Sequence, residues 1–292
     1  MPYVDSGGLR LYYRDSASGP AVLWHTGGCG DSTMWETAGY IAALPGYRHI
    51  LFDHRGRGRS DGPPDVSGHQ MSCYTGDVIA VLDDAGIESA VLIGYSMGGR
   101  VGYAVAASHP GRLAGMVGLD SVPDPASQPA ELRRDAGKVM AEGTRAVIQE
   151  MADAESEPPP PWLLEHLCTT DAATFAGAFE AFATAPPFWP DRITVPTLFL
   201  LAVGEDDGGW WALGQSAAAA MPAARAVALP GLGHLQAFWR TDVTLPAVEQ
   251  FLAERSGGAP TWRGPGTVSR PAPGRSAGSG LRDRSTPASP PG

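Results

Sequence analysis

An α/β architecture, a mostly parallel sheet covered by helices, is what this sequence predicts. Three observations carry it. Short apolar runs alternate with helical patterns along most of the chain, the rhythm of strand–helix–strand units. The 292 residues are 43% hydrophobic, enough to bury a sizeable core in one large domain or one domain with an insertion. The run Ala90-Val91-Leu92-Ile93 leads through Gly94-Tyr95-Ser96-Met97-Gly98 into the small-residue run 98–107. That is a strand, a sharp turn and a helix, with a serine at the apex.

The elements follow in chain order. Tyr3–Asp5 and Leu9–Arg14 read as a strand hairpin, and Ala21–His25 as a buried strand ending in a Gly-rich turn. His49–Asp53 is a further strand, running into Asp53-His54-Arg55-Gly56-Arg57-Gly58. Tyr74–Ala85 has helical spacing, with Val78, Val81 and Leu82 on one face and Gly86 as the stop. The helix after Ser96 runs to about His109, before Pro110. Leu113–Asp120, Pro196–Val203 and Arg225–Leu229 are later strands, and Val243–Glu254 is a closing helix.

Between Pro123 and Arg192 the alternation stops. Ala130–Ala154 reads as helical, Pro158–Pro161 breaks it, and two short helices follow. Residues 1–122 and 193–255 are therefore expected to form the core, with 123–192 as a helical cap insertion. From 256 to 292 the chain is Gly, Pro, Ser and Arg with almost no large apolar residue. Such a stretch buries too little surface to offset its chain entropy, so a disordered tail is expected.

The charge balance narrows the partners. Asp and Glu number 31 against 21 Lys and Arg, a net −10 that argues against nucleic acid and anionic membranes. Cys29, Cys73 and Cys168 lie far apart without C-x-x-C spacing, which disfavours a disulfide framework or a metal site. The first residues carry no basic and apolar leader, and no apolar run approaches 18 residues. The expectation is a cytoplasmic protein acting on a small molecule without metal or cofactor.

The chemistry centres on Ser96. With 38 glycines in the chain, a bare G-x-S-x-G is weak evidence. Placed between a buried strand and a helix start, it is a nucleophile-elbow candidate. A serine hydroxyl needs a base in contact, and the base needs a group to orient it. His234, in the Gly-bounded loop after the last strand, is the candidate base. The acid belongs between serine and histidine in the chain, at a strand's C-terminal end. Asp207 is preferred, then Asp206, then Asp120. The oxyanion needs two backbone donors, for which Met97 and Gly27, with Gly28 as the alternative, are the candidates. Cys29 nearby reads as a small packing residue rather than an activated thiol. Trp35, Phe179, Trp189 and Trp210 are candidates to line an apolar pocket, together with Trp162, Phe188, Trp211 and Trp239. Phe175, Phe179 and Phe182, at i, i+4 and i+7, read as cap core or as a ceiling over the substrate.

Taken in order, five stretches resemble the α/β-hydrolase-fold enzymes of the serine esterase, enol-lactonase and cofactor-free haloperoxidase group. They are His25-Thr26-Gly27-Gly28, residues 53–60, Gly94–Gly99, Gly204-Glu205-Asp206-Asp207 and Gly231-Leu232-Gly233-His234. The resemblance covers about residues 3–255. It implies an α/β-hydrolase fold, a mostly parallel eight-stranded sheet flanked by helices with a small helical cap. It implies Ser96 as nucleophile, Asp207 as acid, His234 as base, and Met97 with a glycine near Gly27 as the oxyanion hole. It gives residues 53–60 a structural role. Relatives that open epoxides through an ester intermediate carry Asp at the elbow, where this chain has Ser96.

The expected activity is cleavage of a carboxylic ester, lactone or thioester of a small to medium apolar substrate through an acyl-Ser96 intermediate. The same triad also serves C–C bond hydrolysis and peracid formation. A non-catalytic ligand-binding protein on this fold is the alternative of a different class.

Overall fold

The structure is a computed structural model and describes residues 3–16, 18–123, 129–184, 190–204 and 209–257. Strands β1 (Tyr3–Ser6) and β2 (Leu9–Asp15) form an antiparallel hairpin. Its two turn residues, Gly7 and Gly8, take φ of 60° and 83°, the left-handed conformation that a tight hairpin turn demands. Next come β3 (Ala21–His25), the short helices α1 (Thr33–Thr37) and α2 (Tyr40–Ala43), β4 (Arg48–Phe52) and α3 (Met71–Asp84). Then follow β5 (Ala90–Tyr95), α4 (Met97–Ser108) and β6 (Leu113–Leu119). Four helices come before the next strand: α5 (Pro129–Glu142), α6 (Thr144–Asp153), α7 (Pro161–Leu167) and α8 (Ala172–Thr184). The chain closes with β7 (Thr197–Val203), α9 (Trp210–Ala220), β8 (Ala224–Pro230), α10 (Gln236–Trp239) and α11 (Thr241–Arg255).

The eight strands make one sheet in the order β1-β2-β4-β3-β5-β6-β7-β8. Only the pairs involving β2 are antiparallel; β4, β3, β5, β6, β7 and β8 run parallel. Helices cover both faces, so a central strand is buried all along, and β5 is buried at each of its positions. This is why its sequence is a continuous apolar run instead of an alternating one. Two apolar clusters flank the sheet. One is built around Trp24, Trp35, Tyr40 and Phe238, the other around Phe52, Tyr74, Tyr103 and Phe199.

Elsewhere the structure refines the sequence expectations. The helix expected over 130–154 is two helices, divided at Gly143, whose φ of 86° leaves the helical region. The helix expected over 74–85 starts three residues earlier, at Met71, and Gly86 follows it at φ 64°, the usual glycine stop. Helix α9 has no counterpart among those expectations. The tail from 258 onward lies outside the described residues. Among the described residues no helix is long and apolar enough to cross a membrane.

Parallel topology decides where a site can sit. Strands β3, β5, β6, β7 and β8 all end on the same edge, and the loops that leave them meet there. The α5–α8 segment leaves β6 at that edge.

Candidate active site

Ser96 links β5 to α4 with φ 51° and ψ −114°. Its amide donates to the Leu119 carbonyl at 2.9 Å, which anchors the turn to β6. The flanking glycines are required by space. A Cβ on Gly94 would overlap the Gly98 carbonyl, and one on Gly98 would overlap the His25 and Thr26 carbonyls. Strand and helix therefore cross at backbone contact, leaving the serine at the apex. Met97 opens α4, so its amide has no acceptor within the helix and lies where the helix dipole favours negative charge.

His234 lies in the loop between β8 and α10. Its Nε2 is 3.1 Å from Ser96 Oγ and its Nδ1 is 2.5 Å from Asp120 Oδ2. With Nδ1 donating to the carboxylate, Nε2 is left as an acceptor for the serine hydroxyl. Asp120 follows β6 directly. Its other oxygen, Oδ1, accepts from the Ala202 amide at 2.9 Å, and its own amide donates to Leu200 at 2.7 Å. Asp120 has φ 43°, and among the described residues it and Ser96 are the only non-glycine residues at positive φ. Strain of this kind persists only where the surroundings impose it, and it gathers at functional sites.

Asp120 is among the three candidates for the acid. Asp207 and Asp206 lie outside the described residues, and the carboxylate that meets His234 is that of Asp120, the third choice. Strands β6 and β7 are parallel neighbours that end at the same edge of the sheet, and chain order alone does not separate the candidates that follow them.

Burial lowers the proton affinity of His234. The hydrogen bond and charge of Asp120, helped by the charge of Glu155, outweigh it and leave the imidazole above its ordinary value, while Arg100 opposes them. The side chain keeps 33% of its surface exposed and lines the cavity described below. Tyr95 stacks on the imidazole with centroids 5.1 Å apart, and its hydroxyl donates to the His234 carbonyl at 3.0 Å. The position of Tyr95, next to the serine on a buried strand, was the only sequence signal for this role.

Gly27 and Gly28 border the site opposite α4. A Cβ on Gly27 would come 3.4 Å from Ser96 Cβ and 3.1 Å from the Tyr95 ring, and one on Gly28 would meet Phe175 at 3.2 Å. The turn is held from behind by the segment 53–60. His54 Nε2 donates to the Gly27 carbonyl at 3.1 Å, and Arg57 donates to the Gly28 carbonyl. Asp53 accepts from the amides of Ser32 at 2.9 Å and Arg59 at 3.0 Å. His25 stacks on His54 with centroids 4.8 Å apart. Burial drives both imidazoles down, His25 to about 4, so both are neutral. Cys29 is buried, which pushes its thiol up to about 12 and away from thiolate chemistry.

Ser96, His234 and Asp120 line a cavity of about 1160 Å³. Its walls are largely apolar, with Leu132, Ile148 and Met151 from α5 and α6, Phe175 and Phe179 from α8, and Trp210 from α9. Besides Asp120, the charged side chains Arg100 and Asp135 face the same space from α4 and α5. The Arg100 guanidinium lies over the Phe182 and Trp210 rings, at 5.1 and 5.7 Å. Of the aromatic residues expected here, Phe179 and Trp210 line the cavity, as do Phe175 and Phe182. Trp35 does not. It is fully buried against Trp24, Tyr40 and Phe238, with centroids 4.9–5.1 Å away, because α1 lays it on the sheet side of the core. Trp162, Trp211 and Trp239 are also absent from the walls, and Phe188 and Trp189 lie outside the described residues. Among the described residues no group of His, Cys, Asp and Glu is arranged to hold a metal ion.

The model of the α/β-hydrolase fold matches residues 20–207, well over half of the chain. The chain belongs to the α/β-hydrolase-fold family. Within the family it is 37% identical over 121 residues to a non-heme chloroperoxidase of Streptomyces lividans, covering 40% of this chain and 43% of that protein. It is 38% identical over 120 residues to an epoxide hydrolase of Caballeronia sordidicola, covering 41% and 36%. The chain thus spans less than half the length of these curated relatives. Solved structures match far more of it. An esterase of Thermogutta terrifontis superposes with a TM-score of 0.73 at 25% identity, over 87% of this chain and 97% of that one. The enol-lactonase of Burkholderia xenovorans LB400 superposes at 0.72 and 27% identity, over 86% and 100%.

Proposed function

We propose that this hydrolase-family protein is a serine hydrolase that cleaves a carboxylic ester, lactone or thioester through an acyl-Ser96 intermediate. The observation that carries the reading is one imidazole spanning Ser96 Oγ at 3.1 Å and Asp120 Oδ2 at 2.5 Å. His234 Nε2 takes the hydroxyl proton as Oγ bonds to the substrate carbonyl carbon. Asp120 holds the required tautomer and stabilises the imidazolium. The carbonyl oxygen, now an anion, is met by the Met97 amide at the start of α4 and by the amide of Gly27 or Gly28 across the site. His234 then returns the proton to the leaving alcohol or thiol as the tetrahedral intermediate collapses. Water, deprotonated by the same imidazole, releases the acid and restores Ser96.

The apolar walls support a substrate with a hydrophobic acyl or alkyl part, held against α5, α6 and α8. Esterase and enol-lactonase structures superpose over nearly all of the core, in keeping with ester or lactone cleavage. The epoxide-hydrolase relative points to a different bond. Serine in place of aspartate at position 96 counts against an alkyl-ester route for this chain.

Labelling with a fluorophosphonate, read by intact mass, tests the proposal. The expected result is one adduct on the wild type and none on Ser96→Ala, with turnover of simple esters falling roughly a millionfold in that variant. A folded wild type that takes no adduct, or a Ser96→Ala variant with full esterase activity, overturns it.

A further inference from the structure

The segment that carries the base has little to hold it in place by itself. Helix α10 is one turn long, and its N-cap residue, Leu235, makes no side-chain capping bond. The amides that open such a turn need partners from elsewhere. They find them in Glu155, which follows α6 in the segment between β6 and β7. Its Oε1 accepts from the Leu235 amide at 2.7 Å and its Oε2 from the Gln236 amide at 3.3 Å.

Neighbouring contacts reinforce the junction. Ser156 Oγ is within hydrogen-bond distance of the Gly231 carbonyl at 3.2 Å and of Gln236 Oε1 at 3.1 Å, and that oxygen accepts from the Gly233 amide at 2.8 Å. Gly233 leaves room for the carboxylate, since a Cβ there would overlap it. Residues 155 and 156 thus grip both sides of His234 without touching Ser96.

We infer that Glu155 is a positioning residue for His234, seating the histidine loop through the amides of Leu235 and Gln236. The inference rests on the serine-hydrolase reading above. It makes the α5–α8 segment part of the catalytic apparatus, because the loop bearing the base is docked on it. The groups that face the imidazole come from every side: Asp120 after β6, Tyr95 and Ser96 at the end of β5, Arg100 on α4, and Glu155. Asp120 and Glu155 favour its charged form and Arg100 opposes it. Burial raises the Glu155 carboxyl, and it stays above its ordinary value although the two amides oppose the rise.

The test compares wild type, Glu155→Gln, Glu155→Ala and, as a control, Glu157→Gln, whose carboxylate pairs with Arg240 at 3.5 Å and is 57% exposed. The readouts are the rate of fluorophosphonate inactivation as a function of pH, kcat and KM on an ester that the wild type hydrolyses, and the thermal midpoint. Glu155→Gln keeps an acceptor for Leu235 and loses the charge. Its rate at high pH should stay within about threefold of wild type, while the acid limb of its inactivation profile moves to lower pH by about half a unit. Glu155→Ala should lose about tenfold in kcat with KM nearly unchanged, and Glu157→Gln should match the wild type. Wild-type rates and an unmoved acid limb in both Glu155 variants overturn the inference while leaving the serine-hydrolase reading intact. A folded wild type that takes no label overturns that reading, and this inference with it.

Discussion

At the scale of single residues, the site is a matter of which atoms His234 touches. Asp120 is its carboxylate partner, so Asp120→Asn should lower kcat by about a thousandfold or more, because an amide no longer selects the tautomer with Nε2 free. Asp207→Asn should leave kcat within a few-fold. Ester turnover of the two purified variants checks both statements, and the reverse ranking would return the acid to the loop after β7. The pH dependence follows from the raised proton affinity of His234. Only the neutral imidazole accepts the serine proton, so activity is lost as pH falls through the folded-state value. That value lies above the ordinary imidazole pKa of about 6.5. The kcat/KM profile should therefore show its acid limb above that point, and a limb well below it would mean that Asp120 and Glu155 do not dominate.

At the scale of elements, the site depends on close crossings and on one buried ion pair. Helix α4 passes so near the ends of β3 and β5 that Gly98 has carbonyls where a Cβ would be. The pair that ties the loop after β4 to α3 is Arg55 and Asp77, with Nη2–Oδ1 at 2.6 Å and Nε–Oδ2 at 2.8 Å. Ser6 Oγ donates to the same carboxylate at 2.6 Å, which brings β1 into the junction. The Arg55 and Asp77 side chains are 5% and 0% exposed. Asp77→Ala would leave a guanidinium buried without its counter-charge, and chemical denaturation should show a loss of about 3–5 kcal/mol. A loss under about 1 kcal/mol would show that solvent reaches Arg55 in the variant.

For the whole molecule, buried histidines set the response to acid. Burial lowers His25 and His69 to about 4, His54 well below its ordinary value, and His49 as well. In the unfolded chain each takes up a proton near pH 6.5. Between there and about 4 the unfolded state binds more protons than the folded one, so stability falls as pH is lowered through that window. His234, with a raised value, contributes in the opposite sense, one group against four. The thermal midpoint should drop between pH 7 and pH 5. A flat midpoint would mean that the histidines of β3, β4 and the following loops gain access to water.

The sequence by itself determined the parallel sheet, the elbow and the serine–histidine pair, because each rests on local rules. Buried parallel strands are written as unbroken apolar runs, and the crossing of β5 and α4 demands glycine at positions 94 and 98. A histidine preceded by glycines after the last strand reaches the same edge. Only the tertiary structure decided the rest. Asp120 and Asp207 both come after strands in the chain, and the contact of Asp120 with His234 is a through-space distance that no local pattern gives. Trp35 and Trp210 are both aromatic residues on helices that follow strands, yet one faces the sheet and the other the cavity. Glu155 carries no local signature, being one carboxylate among many on a polar stretch. Its partners are the amides of residues 80 and 81 positions along the chain, and contacts of that kind exist only after the chain has folded.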